Sequence, residues 1–162
     1  PEEGERRPQL LDRFGLMVDV ASPTDVETRI EVIRRRDAFE ANRAAFLRRW
    51  KPFEDSQRRA ILDARKHLAG VETTDDTLRD CAELCIALGS DGLRGELTLL
   101  KAARAQAAYE GATRIGRDHL RQIAAMALQH RLRRDPMDDA GSAIRIHRLL
   151  DEVFGPLADA AE

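Results

Sequence analysis

Aromatic residues make up 4% of the 162-residue chain, cysteine occurs twice, and lysine is confined to positions 51, 66 and 101. So few aromatics leave the core to be built from Leu, Ile, Val and Ala, which suits helices packed on helices and argues against a sandwich. Two cysteines exclude a disulfide framework. Cys81 and Cys85 stand at i and i+4 in "CAELCIALG", with no His or third Cys near in sequence to complete a metal site. They read as a buried, reduced pair in a reducing compartment. With so little lysine, arginine carries nearly all the positive charge; codon bias is the plainer reading and forked anion recognition the alternative.

Other absences narrow the function. Acids and bases nearly cancel, to a formal charge of −2, so bulk charge draws the chain toward neither nucleic acid nor an anionic membrane. No apolar run approaches the roughly 20 residues of a membrane span, and nothing resembles a signal peptide, which reads as a soluble, cytoplasmic protein with no membrane span. The pattern G-x-x-x-x-G-K-[ST] does not occur, and no lysine has the glycine context that cradles phosphate, so these residues alone assemble no nucleotide phosphate site. His67, His119, His130 and His147 are scattered without a nucleophile, and no catalytic triad can be drawn through them.

What is present points to helices. Apolar residues reach 43%, enough to fill the core of one ordinary domain or two very small ones. The chain opens on Pro1 and the turn-like "PEEGE", which reads as a piece that starts inside a larger unit. "LMVDV" alternates apolar and polar residues and predicts one short strand within residues 16 to 20. After it, Thr24 and Glu27 have capping-box spacing, and Val26, Ile30 and Ile33 paint one helical face, leaving Arg34, Arg35 and Arg36 as a solvated run. Asn42 caps a second short helix that Pro52 is expected to end. Further helices are predicted over about 54 to 68, 75 to 88, from Ser90 or Asp91 to Gly111, over "IGRDHLRQIAAMALQHRLRRDP" with Leu120, Ile123, Ala127 and Leu132 inward, and about 142 to 154. The expected fold class is mainly α, one strand followed by a helical bundle. A boundary near Asp55 divides residues 1–54 from 55–162.

Two arginines stand apart from the rest. In "RPQLLDRFGLMVDV" Asp12 and Arg13 are adjacent, a poor geometry for a mutual ion pair, so the pair faces something outside its own segment. Leu10, Leu11 and Phe14 look anchored and would hold the Arg13 guanidinium in place. Arg94 opens a helix between Gly92 and Gly95, small neighbours that permit close approach of another surface at a helix end that favours anions. A fixed arginine near a phosphate is what phosphoryl transfer requires, because charge gathers on the transferred group in the transition state. The run "RLRRDPMDD" reads most simply as a solvated helix end, with an interaction loop as the alternative.

Four stretches, "PEEGERRPQLLDRFGLMVDV", "DVETRIEVIRRRDAFEA", "CIALGSDGLRGELTLLKAARAQAAYEGA" and "MALQHRLRRDPMDDAGS", together resemble the C-terminal part of the ATPase motor subunit of magnesium chelatase, an AAA+ protein. Arg6 stands where that family usually has an apolar residue. The resemblance implies the end of an AAA+ α/β core in residues 1–54, and a helical lid domain in 55–162. It assigns Arg13 as an arginine finger reaching the ATP of a neighbouring subunit in trans, and Arg94 as sensor 2, contacting nucleotide from the lid of its own chain. Asp12 would orient Arg13 or pair across the interface. The family's sensor 1 Asn comes immediately before the "PEEG" turn. Its Walker segments, which hold ATP and Mg²⁺, lie upstream, so this stretch alone is expected to bind neither cofactor and to hydrolyse nothing. The implied activity of the whole protein is ATP-driven insertion of Mg²⁺ into protoporphyrin IX, the step toward chlorophylls and bacteriochlorophylls. The implied partners are a homo-oligomeric ring, a second AAA+ subunit with an integrin-like domain and a large porphyrin-binding subunit, in the cytoplasm or a chloroplast stroma. A non-hydrolysing AAA+ scaffold subunit of a magnesium or cobalt chelatase is the alternative.

Overall fold

The computed structural model describes residues 13–90, 93–132 and 142–155. They fall into two compact units, one of Asp19–Asp63 and one joining the described residues up to Val18 with those from Ala64 onward. The change of unit at Ala64 lies inside a continuous helix, some way past Asp55.

The unit of Asp19–Asp63 holds α1, Val26–Ala41, and most of α2, Arg43–His67. Asp25 caps α1, its carboxylate accepting from the Thr28 amide and hydroxyl at 2.8 Å each. Asn42 breaks the helix and starts the next, accepting from the Ala45 amide at 2.9 Å as its sequence position suggested. Neither helix buries a residue, so the apolar stripe of Val26 and Ile33 stays exposed. Side chains meet across Asn42 instead: Phe39, Phe46, Trp50 and Phe53 stack in succession at centroid spacings of 5.3–5.8 Å. Arg35 lies 4.6 Å over the Trp50 ring while bonding Glu31 at 2.7 Å. The arginine run is therefore a working part of this unit, each such cation–ring contact contributing about 0.5–1 kcal/mol at an exposed position.

Three expectations fail here, the first being the Thr24 cap: Asp25 and not Thr24 caps α1. Pro52 does not end a helix but lies inside the 25-residue α2. A proline in that place removes one ladder hydrogen bond and crowds the Arg48 carbonyl, and the stack of Trp50 on Phe53 runs directly past it. Likewise no strand forms over 16–20; Leu16, Val18 and Val20 are exposed, and the Met17 amide bonds the Met126 carbonyl of a helix end at 2.8 Å. A strand is made by the ladder of a neighbouring strand. Among the described residues that ladder is absent, and the alternating pattern alone does not create it.

In the other unit a short 3₁₀ turn, Leu68–Gly70, leads to α3 (Asp75–Ala87), α4 (Arg94–Tyr109), α5 (Arg117–Leu128) and α6 (Ser142–Phe154). The mainly α class holds. Helix α4 packs on α3 and α5, and α6 on α3 and α5. Leu84, Leu88, Leu99, Leu120, Leu128, Ile146 and Leu150 are fully buried between them. Ala103 and Ala107 on α4, with Ala124 and Ala127 on α5, are also wholly buried, small side chains that let helix backbones approach closely. Gly89 (φ 67°) and Gly111 (φ 74°) take the left-handed turn after α3 and α4, where any side chain would be strained.

Polar ties fix the loops. Thr74 caps α3, the Ile115 amide donates to the Glu72 carbonyl at 3.1 Å, and the Thr77 hydroxyl donates to the Ile115 carbonyl. Arg117 forks onto the buried Asp80 carboxylate at 2.8 and 2.9 Å, which raises the arginine's own pKa. His119 accepts from the Gly116 amide at 2.8 Å through Nδ1 and meets Glu110 at 3.1 Å through Nε2, a satisfied structural histidine. Cys81 and Cys85 are buried free thiols, as their spacing implied. A hydrogen bond to Cys81, followed by burial, pushes the Cys85 thiol up and keeps it protonated.

Leu99→Ala is expected to lower the unfolding free energy by about 2–5 kcal/mol, since it empties the fully buried centre of α4; denaturant titration giving under about 1 kcal/mol would contradict this packing. Asp25→Ala should speed amide exchange at Thr28 and fray α1. The Thr28 amide, then its hydroxyl, hold the Asp25 carboxyl below its ordinary 3.8. This acid's contribution is therefore fully present above that value and fades as pH falls through the lowered one. Thr28 protection indifferent to pH from 6 to 2 would count against the cap.

Candidate functional site

The site begins where α5 stops. A helix leaves its last four carbonyls without intrahelical donors, and here each finds one. Gln129 N donates to Ala125 O at 3.0 Å, Met17 N to Met126 O at 2.8 Å, Arg131 Nε to Ala127 O at 3.1 Å and Arg131 N to Leu128 O at 2.9 Å. The Gln129 side-chain amide returns a bond to the Met17 carbonyl at 3.0 Å. Two donors converge on the Phe14 carbonyl, His130 Nε2 at 3.0 Å and Arg131 Nη2 at 2.7 Å. The stretch from Phe14 to Met17 is thus laced to the end of α5, although most of its side chains are exposed.

That lacing brings the arginines together. Arg13, Gly15, Arg94, Thr98 and Arg131 line one open cleft of about 450 Å³. Arg94 is the first residue of α4 and Thr98 lies one turn further along the same face. The α4 N-terminus adds its partial positive charge, and Leu93 at its cap offers no side-chain acceptor. Among the described residues lining the cleft there is no carboxylate. The planar forks of guanidinium groups gathered on one cleft match phosphate oxygens. Of two wider grooves along α2, one is lined mainly by Phe53, Ile61 and Leu62, and the other also gathers cations, Arg48, Lys51, Arg58 and Arg59, but with the Asp55 carboxylate among them, paired to Lys51 at 3.1 Å.

Sequence context picked out Arg13 and Arg94, and the family resemblance implied different nucleotides for them; the structure places both on the same cleft. Asp12, like Asp91 and Gly92, lies outside the described residues. Gly95 does allow a close approach, but by its own chain: a methyl there would meet Ser90 Oγ at 2.6 Å and Leu128 Cδ2 at 3.4 Å. Arg131 and His130 were missed, Arg131 having been read as part of a solvated helix end and His130 as one of four scattered histidines. Among the described residues no group of three acidic, His or Cys side chains is arranged to hold a metal ion. No helix is long and apolar enough to cross a membrane.

The family described as the AAA lid domain matches residues 78–150, the stretch from α3 to α6. The magnesium-chelatase 38 kDa subunit of Rhodobacter capsulatus is 64% identical over 95% of this chain and 44% of its own length. The same subunit of Cereibacter sphaeroides is 63% identical over 95% and 46%, and that of Acidiphilium rubrum 55% over 99% and 46%. The chain therefore spans less than half the length of these relatives. With a lid-type helical bundle in the structure and such identity along nearly all its residues, the chain corresponds to the C-terminal part of the magnesium-chelatase 38 kDa subunits.

Proposed function

We propose that this chain is the lid and finger-bearing part of an AAA+ motor subunit whose ATP hydrolysis drives insertion of Mg²⁺, as substrate, into protoporphyrin IX. In this reading it works in the cytoplasm within a homo-oligomeric ring, beside a second AAA+ subunit with an integrin-like domain and a large porphyrin-binding subunit. The observation that carries the reading is the cleft shared by Arg13, Arg94 and Arg131. Its residues fit a polyphosphate and do not fit a catalytic metal, for which the described residues offer no acidic donor set.

ATP, when bound at such a cleft, supplies the phosphoryl group whose transfer gathers negative charge. Arg13 meets that charge with a rigid fork and stabilises it most in the transition state. Arg94, at the start of α4, adds a second cation and the helix-end field. Since both line one cleft, we assign them one nucleotide. An arginine finger reaches across a ring interface, so Arg94 here serves the neighbour's ATP together with Arg13, whereas the sequence reading had it serving its own. The stretch 1–162 alone should hydrolyse no ATP.

In the full-length chain carrying these residues, Arg13→Ala should leave ATP binding intact and lower turnover by about 10³ to 10⁵. Arg13→Lys should rescue poorly, because one ammonium lacks the fork. Rings mixing Arg13→Ala subunits with a phosphate-loop mutant that retains Arg13 should regain ATPase that neither has alone. Arg94→Ala should be complemented in the same way. Wild-type turnover in Arg13→Ala rings would overturn the finger assignment. Complementation of Arg13→Ala but not Arg94→Ala would return Arg94 to its own chain's nucleotide.

A further inference from the structure

Arg13 itself is exposed, and something must hold it if it is to act at a fixed place. The backbone clamp at Met17 seats the segment but, four residues away, does not fix Arg13 by itself. Between the two lies Gly15, whose surroundings are so open that an added Cβ would meet nothing within 4 Å. Glycine in open space leaves the chain free to pivot. Among the described residues the restraint nearest to Arg13 is on the Phe14 carbonyl, one residue away, and its donors are His130 Nε2 and Arg131 Nη2. Of these the arginine is the better brace. Its bond at 2.7 Å is charge-assisted, and its planar guanidinium is itself oriented by the Nε bond to the Ala127 carbonyl at 3.1 Å. The same Nη2 also reaches the Thr98 hydroxyl, at 3.5 Å, on the helix that begins with Arg94.

We infer that Arg131 is a positioning residue for the proposed ATPase reaction: one guanidinium ties the backbone beside Arg13 to the end of α5 and to the face of α4 that carries Arg94. The inference rests on the reading of Arg13 as an arginine finger. Its consequence is mechanical. The finger segment follows the lid bundle as one body, so a lid displacement re-aims Arg13 and Arg94 together.

The test is a double-mutant cycle in the full-length chain, with Arg13→Ala, Arg131→Ala, the double variant and Arg131→Lys. Turnover and KM for ATP are measured in assembled rings, and amide exchange at residues 14–17 in the nucleotide-free protein. A misplacement of about 1 Å in a reacting group costs on the order of 10²-fold. Arg131→Ala is therefore expected to lower kcat by about 10- to 100-fold with little change in KM, and to add almost nothing in the Arg13→Ala background. Arg131→Lys should recover part of the loss. The Met17 amide should exchange at least about 10-fold faster in Arg131→Ala and at the wild-type rate in Arg13→Ala. His130→Ala, which removes the other donor to the Phe14 carbonyl, should reproduce the pattern more weakly and serves if Arg131→Ala does not fold. A loss in Arg131→Ala that persists undiminished without Arg13 would mean direct contact with the nucleotide and would overturn the inference. So would unchanged exchange at 14–17, or unchanged kcat in rings where Arg13→Ala is inactive. Normal turnover in Arg13→Ala would instead sink the finger reading on which the inference stands.

Discussion

The last turn of an α-helix must borrow donors for its carbonyls, and at the end of α5 that requirement organises everything near the candidate site. Two of the four donors come from within the turn that follows, one from the Arg131 side chain and one from the distant Met17 amide. An ordinary demand of backbone chemistry thus draws a segment from early in the chain onto the lid bundle. Once Met17 is seated, Phe14 comes within reach of His130 and Arg131, and Arg13 is brought to the cleft that Arg94 borders.

The bundle beneath makes this arrangement firm. Alanines at Ala103, Ala107, Ala124 and Ala127 are wholly buried, and Leu99, Leu120 and Leu128 fill the space around them. Close-packed interiors transmit displacement and do not absorb it, so the first residue of α4 and the end of α5 keep a fixed relation. The other unit is built on different terms. Its helices bury no residue and are held by stacked rings, arginines over those rings and i, i+4 ion pairs. Contacts of that kind are individually weak and screened by salt.

The helices of the bundle were legible because their signals are local. Apolar residues recur at helical spacing and Gly89 and Gly111 stop, all within a few residues of the structure they specify, and in the other unit Asn42 caps in the same local way. Pro52 misled because its local cost is real and the compensating stack of Trp50 and Phe53 appears only once the helix exists. "LMVDV" misled in the opposite sense, since alternation advertises a strand but a ladder needs a second chain segment. Arg13 and Arg94 were found through their motif surroundings. Arg131 was invisible among the arginines of "HRLRRDP": its decisive bond, to the Phe14 carbonyl, joins residues at opposite ends of the sequence, and no local pattern encodes it.

The account reduces to one geometric claim, that Arg13 and Arg94 of a single chain are held on a common cleft and therefore serve a common phosphate. An experimental structure of the assembled full-length ring with a non-hydrolysable ATP analogue tests it directly. The account predicts that both guanidinium groups of one subunit contact the phosphates of the nucleotide bound by its neighbour, with the Phe14 carbonyl still bonded to Arg131. Arg94 on the nucleotide of its own chain while Arg13 contacts that of the neighbour would contradict it.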